Sequence, residues 1–170
     1  TNTNLNLSVG GNLVLTGGAG NGAFIGAGQA SVGPTTDLVI TVGGNLVLNP
    51  SATQEVRIGS SSSALQTGSV SVTAGGNITL NTGGGAGVAA IRSLGNVTLS
   101  ATNSSRSITE ASGGVIVANL LTATAHDGIS LDSQGNQVTT LNATNLASGT
   151  VTFTNAPGAL LAVSGISPAG

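Results

Sequence analysis

The side chains able to do acid–base or metal chemistry are few. They are the carboxylates Asp37, Glu55, Glu110, Asp127 and Asp132 and a single histidine, His126; the fixed cations are Arg57, Arg92 and Arg106. Glycoside hydrolysis needs two carboxyl groups about 5–9.5 Å apart across a bond. Asp127 and Asp132 lie on one segment beside His126, the one general base of its type, but five residues across a corner project to different faces. Phe24 and Phe153 are the only aromatic residues, so platforms for a sugar ring are scarce. The chain therefore reads as non-enzymatic, with no catalytic residue assigned.

Metal and phosphate chemistry fare no better. Without cysteine there is no thiolate site. The calcium-binding nonapeptide repeat needs a recurring aspartate, and two aspartates offer too few hard oxygen ligands. The glycine-rich stretches 17–22 and 83–87 lack GxxxxGK[ST], and the chain has no lysine. No cofactor is expected. Glu55 and Arg57, two apart on one strand, read as an exposed ion pair worth under ~1 kcal/mol, and Arg106 with Glu110 reads likewise. Sequons at Asn6, Asn77, Asn96, Asn103 and Asn142 are what chance yields in a chain so rich in Asn, Ser and Thr.

The elements that hold these side chains are written as repeats. Val9–Thr16 reads VGGNLVLT, Val42–Asn49 reads VGGNLVLN and Ala74–Asn81 reads AGGNITLN; Leu94–Ser100 and His126–Asp132 are looser versions. Asn12, Asn45 and Asn77 recur at nearly equal spacing, and such self-similarity marks a repeat architecture. Apolar and polar residues alternate around each corner, the period of a half-buried strand. Leu13, Leu15, Leu46, Leu48, Ile78 and Leu80 fall on the inward side as core. Gly11, Asn12, Gly44, Asn45, Gly76 and Asn77 fall at corners, where glycine and asparagine tolerate positive φ and the asparagines form a hydrogen-bonded ladder.

The predicted fold is all-β: a right-handed parallel β-helix, or β-solenoid, of about five to six coils. Coil starts fall near 5, 38, 70, 97, 121 and 151, with Val151 and Phe153 opening the sixth. The serine run 60–63 reads as a surface loop, and 137–150 fits the template poorly. Residues 1–170 form one segment, uncapped at both ends and part of a longer rod or polymer.

Charged residues make up 5% of the chain, against about a quarter in ordinary domains. A net charge of −2 with three scattered arginines excludes the footprint of a nucleic-acid binder and a polybasic membrane patch. The apolar runs are far shorter than the ~20 residues of a membrane helix, so membrane insertion is not expected. Outward threonines, Thr122/Thr124 and Thr150/Thr152/Thr154, would suit an ice-binding grid on two neighbouring coils, but Val14, Val47 and Arg57 face outward in earlier ones.

At its GGNLVLT, GGNLVLN and GGNITLN units the chain resembles the filamentous-haemagglutinin-like adhesins of Gram-negative bacteria, exported by two-partner secretion, and related autotransporter passengers. The resemblance implies an extracellular, cell-surface rod segment. Its partners would be neighbouring coils of a longer chain, other copies of itself, or the surface or glycans of a host or neighbouring cell. The alternative is a self-assembling filament subunit stacking end to end, with a polysaccharide-active enzyme or an ice-binding protein more remote.

Overall fold

The computed structural model describes residues 3–26 and 36–168. Its sixteen strands are β1 (Thr3–Val9), β2 (Leu13–Thr16), β3 (Ala23–Ile25), β4 (Thr36–Val42), β5 (Leu46–Asn49), β6 (Val56–Gly59), β7 (Val70–Ala74), β8 (Ile78–Leu80), β9 (Ala89–Arg92), β10 (Asn96–Ala101), β11 (Ile108–Glu110), β12 (Val115–Ala125), β13 (Ile129–Leu131), β14 (Gln137–Asn145), β15 (Val151–Phe153) and β16 (Ala162–Ser167). Short β-branched runs separated by glycine or asparagine make strands where the alternation places them.

Each strand pairs in parallel with the strand one repeat on. In the longest row the register runs Leu5, Leu38, Val70, Val97, Leu121, Leu141, Val163. The interval is widest at the start of the row, from Leu5 to Leu38, and narrowest near its end, from Leu121 to Leu141. From β1 to β14 the strands stay aligned while the connecting loops shrink, because a one-residue slip would turn every apolar side chain outward; onto β16 the register shifts once, between Leu141 and Asn142.

The strands divide into two sheets, which overturns the expected right-handed parallel β-helix of five to six coils. One sheet has ten strands and curls as a half-barrel in the order β1-β4-β7-β10-β12-β9-β6-β3, with β14 on β12 and β16 on β14. The other is a separate six-stranded sheet, β2-β5-β8-β11-β13-β15. The physical reason lies in β12. Earlier repeats interrupt the chain between β6 and β7 and between β9 and β10 with glycine-containing loops, whereas the eleven residues of β12 contain neither glycine nor proline. Its first part pairs with β9 and its second with β10, fusing two rows into one sheet.

The late repeats are corrected as well. The poorly fitting stretch 137–150 contains β14, which pairs with β12 along most of its length. Val151 and Phe153 do not begin a new unit of the long row; they lie in β15, beside β13 in the six-stranded sheet. The serine run is half covered, with Ser60 and Ser61 buried and Ser62 and Ser63 exposed.

Between the sheets the core is built of columns of aliphatic side chains. Leu46, Leu48, Ile78 and Leu80 have no exposed surface, Leu15 is buried, and Leu13 is partly covered. Ile58, Ile91 and Ile116 stack in register behind Ile25. Each full burial of such a side chain stabilises by about 1.5–3 kcal/mol, which is how a core forms without tryptophan or methionine.

Candidate functional site

The repeated corners form a ladder from side chain to backbone. The Asn45 N–H donates to Asn12 Oδ1 at 2.8 Å, and the Asn77 N–H donates to Asn45 Oδ1 at 2.8 Å. Ser107 N–H continues the series onto Asn77 Oδ1 at 3.1 Å. Each asparagine thus satisfies a main-chain donor of the repeat above, instead of pairing amide with amide. A true amide ladder occurs four residues later, where Asn81 Nδ2 donates to Asn49 Oδ1 at 2.6 Å.

The glycines serve close approach. Backbone bonds tie Gly44 to Gly11 and Gly76 to Gly44, each at 2.8 Å. A Cβ on Gly44 would fall on Asn12 Oδ1, and one on Gly76 on Asn45 Oδ1. None of these corner glycines has positive φ, which appears instead at Gly26, Gly59, Gly84, Gly113, Gly128, Gly149 and Gly158. The expected left-handed corner is therefore replaced by a tightly stacked one.

The acids separate into small sets with their own partners. Asp37 Oδ1 accepts from the Ser69 N–H at 2.7 Å. Asp127 Oδ1 lies beside His126 Nδ1 and accepts from Ser148 Oγ at 2.9 Å. The His126 contact, helped by Ser148, holds the Asp127 carboxyl below its ordinary value. Asp132 Oδ2 instead accepts from Ser130 Oγ at 2.8 Å and Thr152 Oγ1 at 2.9 Å. The structure does not bring Asp127 and Asp132 onto shared partners, and hydroxyls already occupy both. No group of three or more His, Cys, Asp or Glu side chains gathers among the described residues.

Two expectations about charge are corrected. Arg57 is outward on β6, between the core residues Val56 and Ile58, yet it is buried rather than exposed, and its pair with Glu55 (3.1 Å) is part of a larger cluster, because Glu55 also binds Arg92 from the next repeat. Phe24 covers Arg57, its ring centroid 4.0 Å from the guanidinium carbon, a cation–π contact. Arg106 does not pair with Glu110. Glu110 is buried in the column between Leu80 and Leu131, and its Oε2 accepts from Asn136 Nδ2 at 2.8 Å and Ser133 N–H at 3.2 Å. Burial pushes this carboxyl up to about 7, against the lowering effect of those bonds.

A row of hydroxyls crosses the ten-stranded sheet. Ser8, Thr41, Thr73, Ser100, Thr124, Thr144 and Ser167 stand in register across seven strands of the ten-stranded sheet. None is buried. Two residues earlier on each strand a second row runs Asn6, Val39, Ser71, Thr98, Thr122, Asn142. The two threonine sets noted in the sequence are not neighbours: Thr122 and Thr124 lie on β12, Thr152 in the other sheet. Val14 and Val47 belong to the six-stranded sheet and do not interrupt the row.

Sequence reasoning missed both the hydroxyl row and the buried setting of Glu110. Aligning ITE (108–110) with ITL (78–80) and LVL (46–48) would have found the latter, since glutamate stands where the earlier repeats have leucine. Comparison of this chain with family models, with curated proteins and with solved structures returned no match.

Proposed function

We propose that this chain is a non-enzymatic structural and adhesive segment of a secreted or cell-surface protein, displayed outside a Gram-negative cell as the resemblance of its repeats implies. The observation that supports this reading best is the hydroxyl row across seven strands. At about 4.8 Å per strand it extends roughly 29 Å. An uncharged row of donors and acceptors favours many weak contacts spread along its length. Glycoside hydrolysis, by contrast, ordinarily uses two carboxyl groups converging on one bond.

The test is adhesion of the purified chain to bacterial and epithelial cells and to a glycan array, for the wild type and a Thr73→Lys/Thr124→Lys double variant. The reading predicts adhesion by the wild type and at least tenfold weaker adhesion by the folded variant. Unchanged adhesion by the variant, or cleavage of a polysaccharide that is lost in Asp127→Asn or Asp132→Asn, would overturn it.

A second reading, self-assembly of copies edge to edge, draws on apolar side chains left about half exposed on outer strands. Leu5 is 42% exposed, Phe24 51%, Val163 57% and Ile166 49%. Outer strands of this kind template further pairing, with another copy or with further repeats of a longer chain. Concentration-dependent growth in light scattering, suppressed by Leu5→Lys, is expected on this reading; a monomer at all concentrations would end it.

A further inference from the structure

We propose that Glu110 is a proton-operated clasp: protonated, it holds the turn after β11 against the 132–136 turn of the next repeat, and losing the proton loosens that junction. The inference stands independently of the adhesive reading.

The geometry places one carboxyl where three repeats meet. Glu110 continues the inward column between Leu80 and Leu131. Its Oε2 takes bonds from Asn136 and Ser133, while Oε1 is buried without a partner. Asn136 has no exposed surface. Its Oδ1 accepts from the Ile116 N–H at 2.7 Å, and its Nδ2 also reaches Thr154 O at 3.2 Å. Ser133 Oγ donates to Gly114 O at 2.6 Å. Gly114 leaves room for the carboxyl, since a Cβ there would lie 2.8 Å from Oε1.

A neutral carboxyl in this position leaves one oxygen unsatisfied, whereas an ionised one leaves an uncompensated charge among leucines, which costs more. Charged neighbours do not offset it. β8, β10, β12 and β13 contain no titratable side chain, and Asp132, just after β13, adds a like charge. The ion pairs found among the described residues use Glu55 and Asp127, not Glu110. A cavity of about 430 Å³ touches Gly114 and Ser133 on the outer side, so water has a place to enter when the junction opens. The raised carboxyl, at about 7, puts the transition near neutrality.

The chain contains two glutamates, so carboxyl-¹³C-glutamate labelling gives two resonances, and Glu55→Gln assigns them. The expected result is a Glu110 signal titrating near neutrality. Amide exchange at Ile116 and Ser133, corrected for intrinsic rates, should accelerate on the order of a hundredfold between pH 5 and 8. In Glu110→Gln that acceleration should vanish. Titration of both carboxyls in the ordinary acidic range, or the same acceleration in Glu110→Gln, would overturn the proposal. If the variant does not fold, the wild-type titration decides alone.

Discussion

The two halves of the chain solve one packing problem in different ways. From β1 to β8 the repeats are long and nearly equal, the corners share the GGN sequence, and the inward columns are wholly aliphatic. From β10 onward the repeats shorten, the corners diverge, and a glutamate with its asparagine and serine partners enters the core. Parallel pairing persists through both. Register therefore depends on the inward alternation, while corner chemistry can be exchanged.

The sharpest contrast is within one strand of the regular half. Leu48→Asp buries an unpaired charge at a site with no exposed surface; it should cost at least about 4 kcal/mol and abolish the cooperative unfolding transition. Val47→Asp, on the opposite face, should cost under about 1 kcal/mol. Equal losses in urea denaturation would contradict the assigned faces.

The irregular half should be sensitive to pH where the regular half is not. Burial raises Glu110 from its ordinary 4.5 to about 7, so the folded chain binds this proton more tightly than the unfolded chain does. The resulting stability is fully present below about pH 4.5 and is lost as pH rises through about 7, amounting to about 3 kcal/mol. Glu110→Leu, which restores the leucine column, should remove most of this slope and raise the melting temperature at pH 8. A slope retained in full by Glu110→Leu would place the titrating group elsewhere.

The corner ladder yields a smaller difference. Gly76→Ala should cost about 1–3 kcal/mol, because the new Cβ meets Asn45 Oδ1. At Gly11, in the first copy of the same corner, nothing lies within 4 Å of the added atom, and alanine there should be nearly neutral. Similar melting shifts for both would show that the corner does not act through close stacking. Asn45→Ala, which strands the Asn77 N–H, should cost about 1 kcal/mol. The smallest effect belongs to the partly exposed Asp127. Its lowered value means that the His126 and Ser148 contacts stabilise at ordinary pH and that their contribution is lost as pH falls through that value. Asp127→Asn should flatten the acid limb of the melting curve slightly, and an unchanged limb would remove those contacts from the account.

Much of the strand pattern was legible in the sequence, because an alternation of Leu, Ile and Val with polar residues has one physical reading. Leu46, Leu48, Ile78 and Leu80 are inward on that ground alone. The sheet arrangement was not legible, since it depends on the missing corner in 115–125: an absent turn leaves no residue to read. The same holds for Arg57. A charged side chain at an outward position counts as exposed until its contacts with Glu55 and Phe24 are seen. Glu110 was readable in principle, but assigning a carboxylate to a leucine column goes against its desolvation cost. The hydroxyl row was hidden because it needs the registers of seven strands at once, and the interval between partners shortens along the chain.

Register in the ten-stranded sheet is the claim on which the surface reading depends, and engineered disulfides test it directly in a chain without native cysteine. Thr73 and Ser100 are partners across β7 and β10, about 4.8 Å apart by strand spacing, inside the range a disulfide can bridge. Thr73 and Thr98 are displaced by two residues, roughly 8 Å apart, and outside it. Mild oxidation should close the bridge in Thr73→Cys/Ser100→Cys and leave Thr73→Cys/Thr98→Cys open. The opposite pattern would contradict the register and the hydroxyl row with it.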